Sequence, residues 1–223
     1  MILRKKLKNY YRAFYVRKTA LKKTQKLEIV DYATNFLKSN KIQGNYLEFG
    51  VYQGVSFCRF YYLMKKYKLE NMHMFAFDSF KGLPKPRISE EEIWSEGQYA
   101  CCEEDFSSVM NILKVPENAY TIVKGYYNES LTSKIKDIVK KAAFVYIDCD
   151  LYASAIIALN FVTDCVQNGT LLFFDDFYCL RADPDQGERK ALREWLLANP
   201  NISVSEWYNV GYKGKFFIVH IRT

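Results

Sequence analysis

The sequence predicts an α/β domain: a doubly wound, mostly parallel seven-stranded sheet with helices on both faces and an antiparallel last strand. Two observations predict it. Short apolar runs alternate with helix-like segments through most of the chain, the pattern of successive βαβ units. Near the C-terminus the runs 202–206 and 215–221 follow one another with no long helix between them. That makes a hairpin and reverses the final strand. With 223 residues, 49% of them hydrophobic, one domain with a sizeable core fits the length.

Residues 1–26 form a basic leader in which Leu3, Leu7, Tyr10, Tyr11, Phe14 and Leu21 recur at helical spacing between lysines and arginines. Residues 27–223 form the domain proper. A helix over 26–38 is broken at 40–44, and the first strand, 45–49, runs into a turn carrying Gly50 and Gly54 before a helix over 56–66. A second strand, 72–77, ends at Asp78. Residues 81–105 hold prolines, Gly82, Gly97 and the acids Glu90, Glu91, Glu92 and Glu96. A loop of that length directly after a strand reads as a lid. A helix near 107–113, a strand at 120–123 and a helix over 130–140 lead to a central strand, 143–147, ending at Asp148. The helix over 151–166 is stopped by Asn168-Gly169. A strand at 170–174 runs into Asp175-Asp176, and a helix over 188–197 precedes the final hairpin.

The net charge of +7 is local. Ten cations precede the first acid, Glu28, and without them the remainder stands at −3. Nucleic-acid binding therefore does not follow from the basic composition, and none is expected. A basic amphipathic leader suits self-packing, a homo-oligomer contact or the surface of an anionic membrane. No run of about 18 apolar residues spans a bilayer, and the N-terminus lacks a secretory signal. The six cysteines (Cys58, Cys101, Cys102, Cys149, Cys165 and Cys179) show no framework spacing. A cytoplasmic chain with reduced thiols is expected, with peripheral contact at the inner face of the membrane as the leader's alternative.

Function is concentrated at the strand ends. Glu48, Asp78, Asp148, Asp175 and Asp176 all fall at or just past the carboxyl ends of predicted strands, where Rossmann-like sheets bind ligands. An acid after the second strand suits ribose hydroxyls. The opening turn, Gly50-x-x-x-Gly54, is not the glycine pattern that cradles a pyrophosphate, so a nucleoside without a diphosphate is the better ligand. The three aspartates Asp148, Asp175 and Asp176 suit a hard divalent cation such as Mg²⁺. His73 and His220 lie within predicted strands and are expected to be sheet residues, not bases or ligands.

Four motifs in this order resemble a known family. They are Leu47-Glu48-Phe49-Gly50-Val51-Tyr52-x-Gly54-x-Ser56, Phe77-Asp78-Ser79-Phe80-x-Gly82-Leu83-Pro84, Ile147-Asp148-x-Asp150-Leu151-Tyr152-x-Ser154 and Phe174-Asp175-Asp176. Together with Gly187-Glu188-x-Lys190-Ala191 they are similar to the macrocin O-methyltransferase family of class I S-adenosylmethionine-dependent methyltransferases. The resemblance implies S-adenosylmethionine as donor and Mg²⁺ at the acceptor site. It implies that Glu48, Gly50, Tyr52 and Ser56 line the donor's methionine end, that Asp78 takes the ribose with Ser79 and Phe80 beside the adenosine, and that Gly125 and Tyr126 border the adenine. By it Asp148, Asp175 and Asp176 are metal ligands and Asp148 is also the catalytic base, with Glu96 of the lid a further candidate at the metal. Cys149 departs from the family's usual glycine between the two acids of Asp-x-Asp. The expected acceptor is a hydroxyl of a sugar or glycoside, on a surface polysaccharide or a natural product. Two other readings stay open at this point. One is a metal-dependent glycosyltransferase using Asp148 and Asp150; the other is a catalytically silent binding module.

Overall fold

A computed structural model describes residues 2–21, 25–69 and 71–222. Lys22 and Lys23 of the basic leader lie outside the described residues, as do the side chains of Leu3 and Lys26. The elements run α1 (Ile2–Ala20), α2 (Gln25–Ser39), β1 (Asn45–Phe49), α3 (Val55–Tyr67), β2 (Met74–Asp78), α4 (Glu103–Ile112), β3 (Tyr120–Lys124), α5 (Tyr127–Ser130), α6 (Ser133–Val139), β4 (Ala142–Ile147), α7 (Tyr152–Val162), β5 (Leu171–Phe174), α8 (Gly187–Ala198), β6 (Ile202–Val210) and β7 (Gly214–Ile221).

The seven strands form one sheet in the order β3-β2-β1-β4-β5-β7-β6. Strands β1 to β5 pair in parallel, and β7 runs antiparallel to both β5 and β6. The expected terminal hairpin and reversed last strand are both present. Strand β4 occupies the centre with β1 beside it, and the β1–β4 boundary, where the strand order reverses, is the switch point at which such sheets open a ligand crevice.

Strands β1, β2, β4 and β5 are near-continuous apolar runs because both faces of the sheet are covered. One face packs Tyr46, Met74, Phe144 and Phe173 against Phe57, Phe60 and Phe106 of the flanking helices. The other packs Phe49, Phe77, Ile147 and Phe174 against Phe161 and Trp195. Ring contacts of Tyr46 with Phe60 of α3 and of Phe49 with Phe161 of α7 tie β1 into both layers.

Several boundaries differ from the sequence reading, and strand β6 runs on to Val210. The helix expected over 130–140 is two short helices, α5 and α6, because Leu131 is not helical and the Thr132 side chain caps α6 by accepting from Ile135 N–H. Helix α7 ends at Val162, four residues early. Helix α4 begins at Glu103, so the irregular part of the lid stops at Cys102 and three acids, Glu103, Glu104 and Asp105, fall in the first turn, where they complement the helix dipole.

The leader helix lies on its own domain, against α3 and α4. Its buried face consists of Asn9, Ala13, Val16 and Ala20. The residues expected to be its packing stripe, Leu7, Tyr10, Tyr11, Phe14 and Leu21, are exposed instead. The small face lets α1 approach its neighbours closely. It is held there by a bond from Arg12 to Asp105 of α4 and by Arg59 of α3, whose guanidinium donates to the Ala20 carbonyl at 3.1 Å.

Candidate active site

The backbone ladder carries the acids to one edge. Past the strand ends, Gly50 N–H donates to the Phe77 carbonyl, Asp148 N–H to Phe49 and Asp175 N–H to Ile147, at 2.8, 2.9 and 2.9 Å. The crevice thus has a floor made of the first residue beyond each parallel strand. It is a cleft of about 720 Å³, within the usual range for small-molecule sites. Gly50, Tyr52, Ser56, Asp78, Ser79 and Tyr126 line one part, and Asp148, Asp175 and Asp176 another.

Gly50 joins the two. It has φ +92°, and a Cβ there would sit 1.8 Å from the Asp148 carbonyl oxygen, so only glycine lets the first loop and the β4 end meet. Asp78 is fixed by three backbone donors: Val51 and Tyr52 N–H to Oδ2 at 2.9 and 3.1 Å, and Phe80 N–H to Oδ1 at 2.7 Å. Burial raises its carboxyl above the ordinary value, opposed by those three bonds. A carboxylate offers about four acceptor positions, so capacity remains for a hydroxyl.

Three expected donor-site residues and the lid's metal candidate are placed differently. Glu48 is fully buried behind the loop and does not line the cleft; it accepts from Tyr46 and Ser56 hydroxyls, each at 2.5 Å. Its reach to the cleft runs through Ser56. Phe80 turns away at φ 54° and packs its ring 5.8 Å from Phe106 in the core. Gly125 serves the backbone, donating to the Asp78 carbonyl at 3.0 Å, while its neighbour Tyr126 lines the cleft. From the lid, Gln98 and Tyr99 reach the cleft wall; Glu96 is exposed and does not.

The lid is pinned to the site. Glu90 is buried, accepts Tyr152 N–H at 2.8 Å and so caps the start of α7, and its other oxygen accepts Arg87 N–H at 3.1 Å. Leu83 and Trp94 pack with Leu151 and Leu180 beneath it.

At the acid end, one carboxylate oxygen from each of Asp148, Asp175 and Asp176 lies within 4.8 Å of the others. Asp176 Oδ2 is buried and receives no N–H or hydroxyl donor among the described residues. Lys213 stands beside the cluster, its ammonium 2.6 Å from Asp176 Oδ1 and 3.0 Å from Asp175 Oδ2. A dense all-oxygen set that already draws in one cation, with a buried oxygen still lacking a donor, fits a hard divalent ion. His73 and His220 sit elsewhere, bonded to Thr121 and Ser205 across the sheet.

A model of the macrocin O-methyltransferase (TylF) family matches residues 18–195. The chain belongs to that family. It is an O-methyltransferase that uses S-adenosylmethionine. Solved structures agree on the fold. The O-methyltransferase NovP superposes with TM-score 0.72 at 18% identity, covering 89% of this chain and 80% of that one. The apo structure of CalS11, a TDP-rhamnose 3'-O-methyltransferase of calicheamicin biosynthesis, gives 0.62 at 15% identity, covering 94% and 93%. TomG from Streptomyces achromogenes, involved in tomaymycin synthesis and solved with S-adenosylmethionine, gives 0.60 at 13% identity, covering 93% and 89%. No curated protein matches in sequence.

Lys213 escapes sequence reading altogether, and the surroundings of Asp150 and Glu188, both present in the motifs, are not legible there. Lys213 comes from the turn between β6 and β7, remote from every motif; burial alone would lower its ammonium, but Asp175 and Asp176 carry it above its ordinary value. Asp150, at φ 62°, lies against Asp176, and burial followed by that neighbour's charge pushes its carboxyl up to about 8. Glu188 of α8 is fully buried, accepts Asp176 N–H at 3.0 Å, and is raised well above the carboxylate range by burial and then by Asp176. Glu188 is visible as part of a motif, but nothing in its spacing points to a buried acid that accepts the Asp176 N–H.

Proposed function

We propose that this family member methylates a sugar hydroxyl that has a neighbouring oxygen, with a divalent cation held by Asp148, Asp175 and Asp176. The observation that carries the reading is the convergence of those three carboxylates, within 4.8 Å, at one part of a cleft whose other part is the Gly50–Ser56 loop and Asp78. CalS11 is by its description a nucleotide-sugar O-methyltransferase, which supports a sugar acceptor here.

Methyl transfer to an alcohol is an in-line displacement, so the protein's first task is alignment, worth several kcal/mol when two reactants are held together. Asp78, fixed by its three backbone bonds, positions the donor's ribose. The turn after Gly50 and the Ser56 hydroxyl, oriented by Glu48, shape the methionine end. Tyr99 and Gln98 of the lid form part of the wall that limits water. A sugar hydroxyl is a weak acid, and a divalent cation in this cluster supplies the Lewis acidity that makes it a better one. Asp148 takes the hydroxyl proton on its carboxylate oxygen as the new C–O bond forms and the donor's methyl–sulfur bond breaks, leaving S-adenosylhomocysteine. Glu188 and Tyr146, bonded to Asp176 N–H and to Asp175 Oδ1, hold the other two acids in place.

Calorimetry with S-adenosylmethionine and with a nucleotide sugar, each with and without Mg²⁺, combined with methyl-transfer assays on deoxysugar nucleotides and glycosides, tests this. Donor binding and chelator-sensitive transfer to a sugar hydroxyl are expected. Transfer that survives full chelation overturns the metal's part. Family membership leaves the glycosyltransferase and silent-module readings without support.

A further inference from the structure

The outer face of α1 is an aromatic arc rimmed by cations. At about 100° per residue, Tyr10, Phe14, Leu7, Tyr11 and Tyr15 cover an arc of about 140° that is centred nearly opposite the buried Asn9, Ala13, Val16 and Ala20. Tyr11 is 68% and Phe14 66% exposed, whereas Ala13 is 1% and Val16 0%. Lys6 and Arg17 border one side of the arc and Lys8 the other, Lys5 lies further round, and Arg4 and Lys18 lie within the arc in the first and last turns; all six are exposed. The helix holds no acid.

We propose that α1 docks this protein on an anionic lipid surface, lying flat with the aromatic arc in the headgroup layer and its cations against lipid phosphates. Tyrosine and phenylalanine with a basic border are the composition of an interfacial helix. No helix among the described residues is long and apolar enough to cross a membrane, so the contact is peripheral. Charge chooses the occupant. Two copies meeting through this arc would face six exposed cations with six more and no acid on either helix, whereas an anionic plane complements them. The rest of the chain carries net −3 once the ten leader cations are set apart from the total of +7. The molecule is therefore polarised and approaches such a plane helix first. The small-residue face keeps α1 seated on α3 and α4, so docking needs no unfolding.

The test is co-sedimentation of the full-length protein with phosphatidylcholine vesicles and with vesicles of three parts phosphatidylcholine to one of phosphatidylglycerol. Binding to the anionic vesicles is expected to be at least tenfold tighter and to weaken several-fold in high salt. Tyr11→Ser/Phe14→Ser, two exposed positions away from the cleft, should lose most of it while S-adenosylmethionine binding and thermal stability stay at wild-type values. Lys6→Glu/Arg17→Glu should do the same. Equal binding to neutral and anionic vesicles, or none to either, overturns the proposal. So does a wild-type dimer in sedimentation velocity that Tyr11→Ser/Phe14→Ser converts to monomer without any vesicle binding; the arc would then be a contact between copies.

Discussion

The Lys213 ammonium lies 2.6 Å from Asp176 Oδ1 and 3.0 Å from Asp175 Oδ2, bridging the last two acids of the cluster from the hairpin turn that enters β7, the neighbour of β5. Three aspartates this close repel one another, and two further acids, Asp150 and Glu188, stand against them. Lys213→Gln removes the resident positive charge. With its side chain 32% exposed, the pair falls between surface and buried cases, and about 2 kcal/mol of stability should be lost in chelator. For a chain of this size that is a fall of about 4–8 °C in melting temperature. Millimolar Mg²⁺ should restore more of it in the variant than it adds to wild type. Equal Mg²⁺ stabilisation of both proteins would show that Lys213 does not compensate the same charges.

Asp148→Asn tests the base. Asparagine keeps the size and one oxygen but cannot accept the acceptor's proton at neutral pH. Turnover should fall by about 10²–10⁴-fold, the usual range for loss of a positioned base. S-adenosylmethionine affinity measured by calorimetry should stay within a few-fold of wild type, since the donor loop and Asp78 are untouched. Wild-type-like turnover would take Asp148 out of proton transfer.

Gly50→Ala should be far more damaging than its chemistry suggests. A methyl group would lie 1.8 Å from the Asp148 carbonyl oxygen, at φ +92°. Either the first loop or the end of β4 must move. The strain alone is worth about 1–3 kcal/mol, and donor binding and turnover should both drop by more than tenfold. Gly97→Ala is the control: no heavy atom lies within 4 Å of a Cβ there, leaving only the cost of its φ of +76°. If Gly50→Ala binds the donor as wild type does, the close packing does not set the cleft.

The strand ends were legible because parallel strands buried on both faces read as apolar runs, so the acids that terminate them stand out. The sequence pattern thus puts Asp78, Asp148, Asp175 and Asp176 at one edge of the sheet, where the cleft lies. Lys213 was not legible, since a lysine in a hairpin turn carries no periodicity and its neighbour in space is 37 residues away in sequence. Phe80 was misplaced for a backbone reason: its positive φ sends the ring into the core behind the motif that contains it. The leader failed in an instructive way. Its large apolar residues follow helical spacing, but α1 buries Ala13, Val16 and Ala20, and a stripe of small residues is quiet in any reading weighted by side-chain size.

The seating of α1 should depend on pH through Asp105. Burial alone would raise its carboxyl, but the bonded Arg12 guanidinium, the Cys102 thiol and Lys8 carry it below its ordinary value of 3.8. A folded value below the unfolded one means the pair's stabilisation is fully present above about pH 4 and is lost as pH falls through the folded value. With both side chains partly exposed, the contribution is about 1 kcal/mol. Hydrogen exchange along α1, corrected for intrinsic rates, should be about fivefold faster in Asp105→Asn than in wild type near pH 6, and this difference should close as the pH drops below 4. Ala13, Val16 and Ala20 remain to hold the helix, so global unfolding should not accompany it. Equal α1 protection in the two proteins near pH 6 would leave the small-residue face as the whole of the attachment.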